Sequence, residues 1–304
     1  MPRWTASRNG RRAEPGKVEP GKVESGSESA GRALIHIGTH KTATTSLQTM
    51  VARNGEHFRS QDLFYPVSGR VGDGHHNLAW QLNADGRYRP EAGTLTDLAA
   101  ELRTHRPRAV LISSEDFEYL QGKPDALATL SATLADLGYL VGVILMLRRP
   151  CDYLESLYFE LGKHGLDESF ATFLARASAN GGARFGDWDF RLDYEELVGS
   201  FARVFGSSDT VVLEYDPVEA VAPLLGACGR YLLGVPLTPV PGWERFNRRP
   251  APDHGPGRSA NGNGNGTGAA SVRDRCTPAE RAGVEARFGP AIERLVRRFP
   301  APGA

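Results

Sequence analysis

The chain has 304 residues, 40% hydrophobic and 24% charged, and its 36 Lys and Arg balance 36 Asp and Glu. That length supplies a core for one large domain or two small ones, and zero formal net charge excludes a protein that holds nucleic acid by bulk attraction, though not a local basic pocket for a small anion. No run approaches the ~20 apolar residues of a membrane span. Three widely spaced cysteines, Cys151, Cys228 and Cys276, form no zinc-type cluster and predict a reduced, cytoplasmic protein without a structural disulfide.

Residues 1–32 read as a disordered N-terminal extension. They are polar, lack the apolar run of a secretory signal, and contain Glu-Pro-Gly-Lys-Val twice in tandem, at Glu14–Val18 and Glu19–Val23. Two short Pro/Gly-rich copies cannot bury a core face, so they are low complexity and not a solenoid. The rest, 33–304, reads as a single domain. Within it, a stretch at about 250–270 holds alternating Asn-Gly from Asn261 to Gly266 with no apolar content, a pattern that predicts a flexible insertion.

Apolar runs predict strands at Ala33–Ile37, Ala109–Ser113, Val141–Leu147 and Thr210–Tyr215. Helical spacing predicts helices at Thr44–Arg53, Thr94–Thr104, Asp125–Leu137, Pro150–Gly162, Phe170–Ala179, Glu195–Phe205 and Val218–Leu233. A last helix is entered at Thr277-Pro278-Ala279-Glu280, which has the form of a capping box with proline at the first helical position. Gly289-Pro290 is expected to break or kink it. Apolar strands alternating with helices predict a three-layer α/β/α fold around a mostly parallel sheet, whose ligands sit at the carboxyl ends of the strands.

The first strand runs into Gly38-Thr39-His40-Lys41-Thr42-Ala43-Thr44-Thr45-Ser46 and then a helix. Free amides at such a helix start attract an anion; Lys41 adds a charge, and Thr42, Thr44, Thr45 and Ser46 add hydroxyl donors. The nucleoside-triphosphate motif GxxxxGK[ST] fails here, because Ile35 and His40 stand where its two glycines belong. After the strand at Val141–Leu147 come Arg148, Pro150 and Ser156, and a strand-end guanidinium with a hydroxyl on the next helix suits a single phosphate.

These two stretches resemble the phosphosulfate loop and the 3′-phosphate element of the sulfotransferase superfamily that uses 3′-phosphoadenosine-5′-phosphosulfate (PAPS). The lysine, the Thr-Thr pair and the arginine-proline-serine spacing agree. Ala43 departs from the family's usual glycine, and is unstrained only if its φ is negative. The resemblance runs from Ala33 to roughly Phe246. It implies a P-loop-like sulfotransferase fold, PAPS as co-substrate bound by residues 38–46, Arg148 and Ser156, no obligatory metal, and Lys41 stabilising charge on the departing oxygen. It also implies that a basic late loop, at Arg248 or Arg249, covers the nucleotide. The acceptor is expected to be a carbohydrate or a small molecule offering a hydroxyl or amine. A general base is needed; His76, its neighbour His75, and Glu115 at the end of the second strand are the candidates. A P-loop kinase-like enzyme and a non-catalytic nucleotide-binding module on the same fold are the rival readings. Nothing in the sequence specifies an oligomeric state.

Overall fold

In chain order, the computed structural model places β1 (Arg32–His36), α1 (Thr44–Arg53), a short α2 (Gly55–Arg59), β2 (Leu63–Phe64), α3 (His76–Asn83), α4 (Leu95–His105), β3 (Ala109–Ser113), a 3₁₀ helix (Glu115–Leu120), α5 (Pro124–Ala135), β4 (Leu140–Leu147), α6 (Pro150–Lys163), α7 (Phe170–Asn180), β5 (Gly182–Phe185), β6 (Trp188–Arg191), α8 (Tyr194–Phe205), β7 (Thr210–Glu214), α9 (Val221–Leu233) and α10 (Pro278–Arg298). The structure describes residues 30–219, 221–243 and 275–303. Most of the expected N-terminal extension, the Asn-Gly insertion and Arg248 lie outside the described residues.

The main sheet has the order β2-β3-β1-β4-β7 with every described pairing parallel. β1 is central, with Ile35 opposite Ile112 on one side and Val143 on the other. Successive residues of its neighbours point to opposite layers. Val143, Leu145 and Leu147 of β4 join the core formed with α3, α4, α5, α8 and α10, while Ile144 and Met146 join the core formed with α1, α2 and α9. Burial on both faces explains why these strands read as continuous apolar runs without alternation. A third cluster joins α6, α7 and the antiparallel hairpin β5-β6.

The predicted strands and helices are all present, most within one or two residues of their expected ends. The capping box of α10 forms as expected, Thr277 accepting from the Glu280 amide and the Glu280 carboxylate from the Thr277 amide. Gly289-Pro290 does not end this helix, which runs on to Arg298 with Pro290 inside it. Ile292, Leu295 and Phe299 are buried against the sheet, and that burial, about 1.5–3 kcal/mol per large side chain, offsets the roughly 3 kcal/mol cost of an internal proline. The carbonyl of Phe299 then accepts from the amide of Val212 at 2.8 Å and so covers the outer edge of β7.

The cysteines correct the sequence reading. Cys151, in the first turn of α6, is joined to Cys276 just before α10, across 125 residues, and Cys228 stays free and buried. Packing of α10 along α6 brings the pair together, helped by Arg281, which reaches Asp152 at 2.6 Å and Glu155 at 2.9 Å. The cysteine argument for a reducing compartment therefore falls. Among the described residues, no helix is long and apolar enough to cross a membrane.

Candidate active site

The loop after β1 stays attached to the sheet before it turns. The Ile37 amide donates to Ile144 O at 3.0 Å, and the Thr39 amide and hydroxyl both donate to Met146 O, at 3.2 and 3.0 Å. The Thr42 hydroxyl donates back to Thr39 O. Thr39, Thr42, Thr44 and Ser46 are buried, whereas Thr45 is exposed. Gly38 is required by close packing: a Cβ there would lie 2.5 Å from Thr44 Cγ2. Lys41 and Ala43 both take left-handed backbone, with φ of 68° and 62°. Ala43 is thus in the strained of its two alternatives, at about 1–2 kcal/mol. It is also the N-cap of α1 and offers no side-chain oxygen to the first-turn amides, of which that of Ser46 donates to the Ala43 carbonyl at 3.0 Å.

Arg148 converges on this loop. Its Nη1 donates to Lys41 O at 2.7 Å, and its guanidinium lies 5.0 Å over the Tyr215 ring. Arg149 turns elsewhere, pairing with Glu214. Ser156 sits buried in α6, nearly two turns beyond Pro150. The Lys41 ammonium reaches the same helix and pairs with Glu160 at 2.9 Å.

The ring of His40 is taken up on the inner side. Glu118 Oε2 accepts from its amide at 3.1 Å and lies 2.9 Å from Nδ1; Asp116 Oδ1 is 3.4 Å and Tyr119 Oη 3.2 Å from Nε2. Burial alone would lower its pKa, but hydrogen bonds and charge from Asp116 and Glu118 overcome this and raise it to about 10. His40 is therefore an imidazolium that ties the loop to the 3₁₀ helix after β3.

The base candidates separate by environment. His75 is fully buried; its Nδ1 accepts from the Ser113 amide at 3.1 Å and its Nε2 lies 3.0 Å from Pro66 O. Burial lowers its pKa to about 3, and both ring nitrogens are engaged within the protein. His36 is likewise buried, 2.8 Å from Ser113 Oγ, and burial lowers it to about 4.

His76 is different. Its ring stacks on Trp80, its Nδ1 lies 2.8 Å from Ser114 Oγ, and its side chain is 19% exposed. Asp116 and Glu115 carboxylate oxygens lie 3.7 and 4.0 Å from Nδ1. Glu115 accepts from Gln48 Nε2 at 2.9 Å. Burial pushes the Glu115 carboxyl up, but His76 and His40 pull it below its ordinary range. Asp116 is held at about 2, against burial, by His40, His76 and Arg87. Gly74 gives the cluster its room, since a Cβ there would fall 2.6 Å from His76 Nε2 and 2.8 Å from Gln48 Cδ.

Sequence reasoning missed Gln48 and Glu160 as site residues. Gln48 stands one turn beyond Thr44 on α1, and Glu160 one turn beyond Ser156 on α6. The i+4 spacing from residues already singled out was the available signal.

No protein-family model matches this chain, and neither does any curated protein. Among solved structures it is similar to the crystal structure of a sulfotransferase from Alicyclobacillus acidocaldarius, at 19% identity and a TM-score of 0.50, over 89% of this chain and 96% of that one. The likeness establishes the fold class: a sulfotransferase-like α/β fold around a parallel five-stranded sheet.

Proposed function

We propose that this chain is a PAPS-dependent sulfotransferase, moving a sulfuryl group to a hydroxyl or amine of a carbohydrate or small-molecule acceptor and leaving adenosine 3′,5′-bisphosphate. The observation that carries the reading is the convergence of Arg148 on the backbone of Lys41 at a helix start without a side-chain cap, at the carboxyl ends of β1 and β4. In this fold, that is where an anionic ligand binds.

The donor supplies an already activated sulfuryl group. The residues then divide the work. The loop amides other than those of Thr39, His40 and Ser46, which are bonded within the protein, and the Lys41 ammonium offer positive charge where the departing oxygen develops negative charge. Arg148 and Ser156 receive the 3′-phosphate. His76 takes the acceptor's proton at Nε2, while Ser114 at Nδ1 fixes its ring and the Glu115 and Asp116 carboxylates stabilise the imidazolium that forms. Glu115, with its depressed pKa, is the weaker base and serves as the electrostatic partner.

A thermal-shift comparison tests the nucleotide. At about a hundred times its Kd, adenosine 3′,5′-bisphosphate is expected to stabilise the protein by about 2.7 kcal/mol, or roughly 5–10 °C for a domain of this size. ATP with magnesium is expected to have little effect, and stabilisation by ATP–Mg alone would overturn the reading. Transfer from labelled PAPS to a panel of sugars, phenols and amines then tests turnover.

A further inference from the structure

Glu160 is not needed to explain the phosphosulfate loop, yet it holds that loop's one lysine. Its Oε2 lies 2.9 Å from Lys41 Nζ and 2.8 Å from Lys163 Nζ, and its Oε1 lies 3.8 Å from His164 Nε2. The Glu160 and Lys41 side chains are each 32% exposed, so the pair is within reach of solvent and of an incoming ligand. Burial would raise the Glu160 carboxyl, but Lys163 and Lys41 bring it down to about 2.

Two features make this pair separable. Lys163 follows Glu160 by three residues on α6 and holds the same carboxylate oxygen at 2.8 Å, a contact local to the helix that does not involve Lys41. Removal of Lys41 therefore does not strand a bare charge, the step that makes breaking an ion pair costly. The pair is also only partly buried, and such pairs contribute little to stability. A multiply charged phosphosulfate donor can outcompete it.

We propose that Glu160 is a positioning residue that competes with the nucleotide for Lys41. It parks the ammonium against α6 in the free protein and yields it to the donor, so part of the donor's binding energy goes into breaking the Lys41–Glu160 pair. This inference rests on the nucleotide reading above.

The test is a double-mutant cycle read by calorimetric affinity for adenosine 3′,5′-bisphosphate, with thermal unfolding as a control for folding. Glu160→Gln is expected to bind about two- to fivefold more tightly than the wild type. In a Lys41→Met background, followed at millimolar ligand by thermal shift where calorimetry is too weak, the same substitution is expected to leave affinity unchanged. Equal or weaker binding by Glu160→Gln overturns the proposal. A gain that persists undiminished without Lys41 also overturns it, because Glu160 then acts by general repulsion of the anion. If the folded wild type does not bind the nucleotide at all, the nucleotide reading fails and this inference falls with it. Binding by the wild type with no response at Glu160 removes this inference alone.

Discussion

The loop at Gly38–Ser46 and the cluster around His76 are neighbours at the same sheet end, meeting at Asp116, and they are built in contrasting ways. The loop is one stretch of chain. Its Thr39 and Thr42 hydroxyls are spent on nearby carbonyls, and its shape is held by left-handed backbone at Lys41 and Ala43. The His76 cluster draws on α1, α3 and the 3₁₀ helix after β3, and is held by side chains: Gln48 on Glu115, Ser114 on His76, Trp80 on Asp116. A site for fixed charge tolerates backbone control, because amides do not titrate. A base must be positioned yet free to change its charge, and side chains around a partly exposed ring allow that.

The sharpest way to break this comparison is to remove one residue from each side. Lys41→Met is expected to lower turnover about 10²- to 10³-fold and to weaken nucleotide binding as well. His76→Ala is expected to lower turnover about 10²- to 10⁴-fold while affinity for adenosine 3′,5′-bisphosphate stays within about twofold. Steady-state rates beside calorimetric Kd values separate the two. Loss of binding and turnover alike in His76→Ala would place the histidine in the nucleotide site and end the division of labour.

His40 links the two regions, and its charge can be followed by pH. Its folded pKa is about 10 against an ordinary value of 6.5. Between those values the folded state holds a proton that the unfolded state has lost, so unfolding stability falls as pH rises. The contribution is complete below about pH 6.5 and gone above about 10; its size is on the order of a few kcal/mol. Urea unfolding at pH 6, 8 and 10 is expected to show a steeper decline for the wild type than for His40→Gln. Parallel slopes would mean that the ring is neutral in the folded protein.

A smaller effect is expected at Gly74. The atoms nearest to a Cβ there are the ends of two side chains, His76 and Gln48, and not backbone. Gly74→Ala should therefore cost little stability but push the imidazole off its position, with a roughly tenfold loss of turnover. Unchanged turnover would show that the base does not depend on the pose described.

What was legible in the sequence follows the same contrast. The loop, and the Arg148-Pro150-Ser156 spacing, are local patterns, and β1, β3 and β4 announce themselves as apolar runs because both their faces are covered. The two-residue β2 and the four-residue strands of the β5-β6 hairpin are too short to carry a period. Lys41 meets Glu160 across 119 residues, and His40 meets Glu118 across 78; no spacing rule spans such distances. His75 and His76 are adjacent and look equivalent. They differ because α3 begins between them, with His75 as N-cap pinned to β3 and His76 turned outward in the first turn. The Cys151–Cys276 pairing depends on α10 returning along α6, and odd, distant cysteines conceal it.

The smallest expected effect isolates the backbone half of the comparison. At φ 62°, Ala43 places its Cβ against the following carbonyl, a clash glycine lacks. Ala43→Gly relieves that strain, but it also loosens the unfolded chain, an opposing effect of about 0.4–1 kcal/mol. The relief of roughly 1–2 kcal/mol is the larger, so a net gain of up to about 1.5 kcal/mol is expected, seen as a rise in Tm of at most about 6 °C. Because the substitution leaves every hydroxyl of the loop and the Lys41 ammonium in place, nucleotide affinity should stay within about twofold. A fall in Tm would mean that residue 43 is held by contacts of its methyl group and not merely tolerated, and that the loop's shape depends on side-chain packing in the way the His76 cluster does.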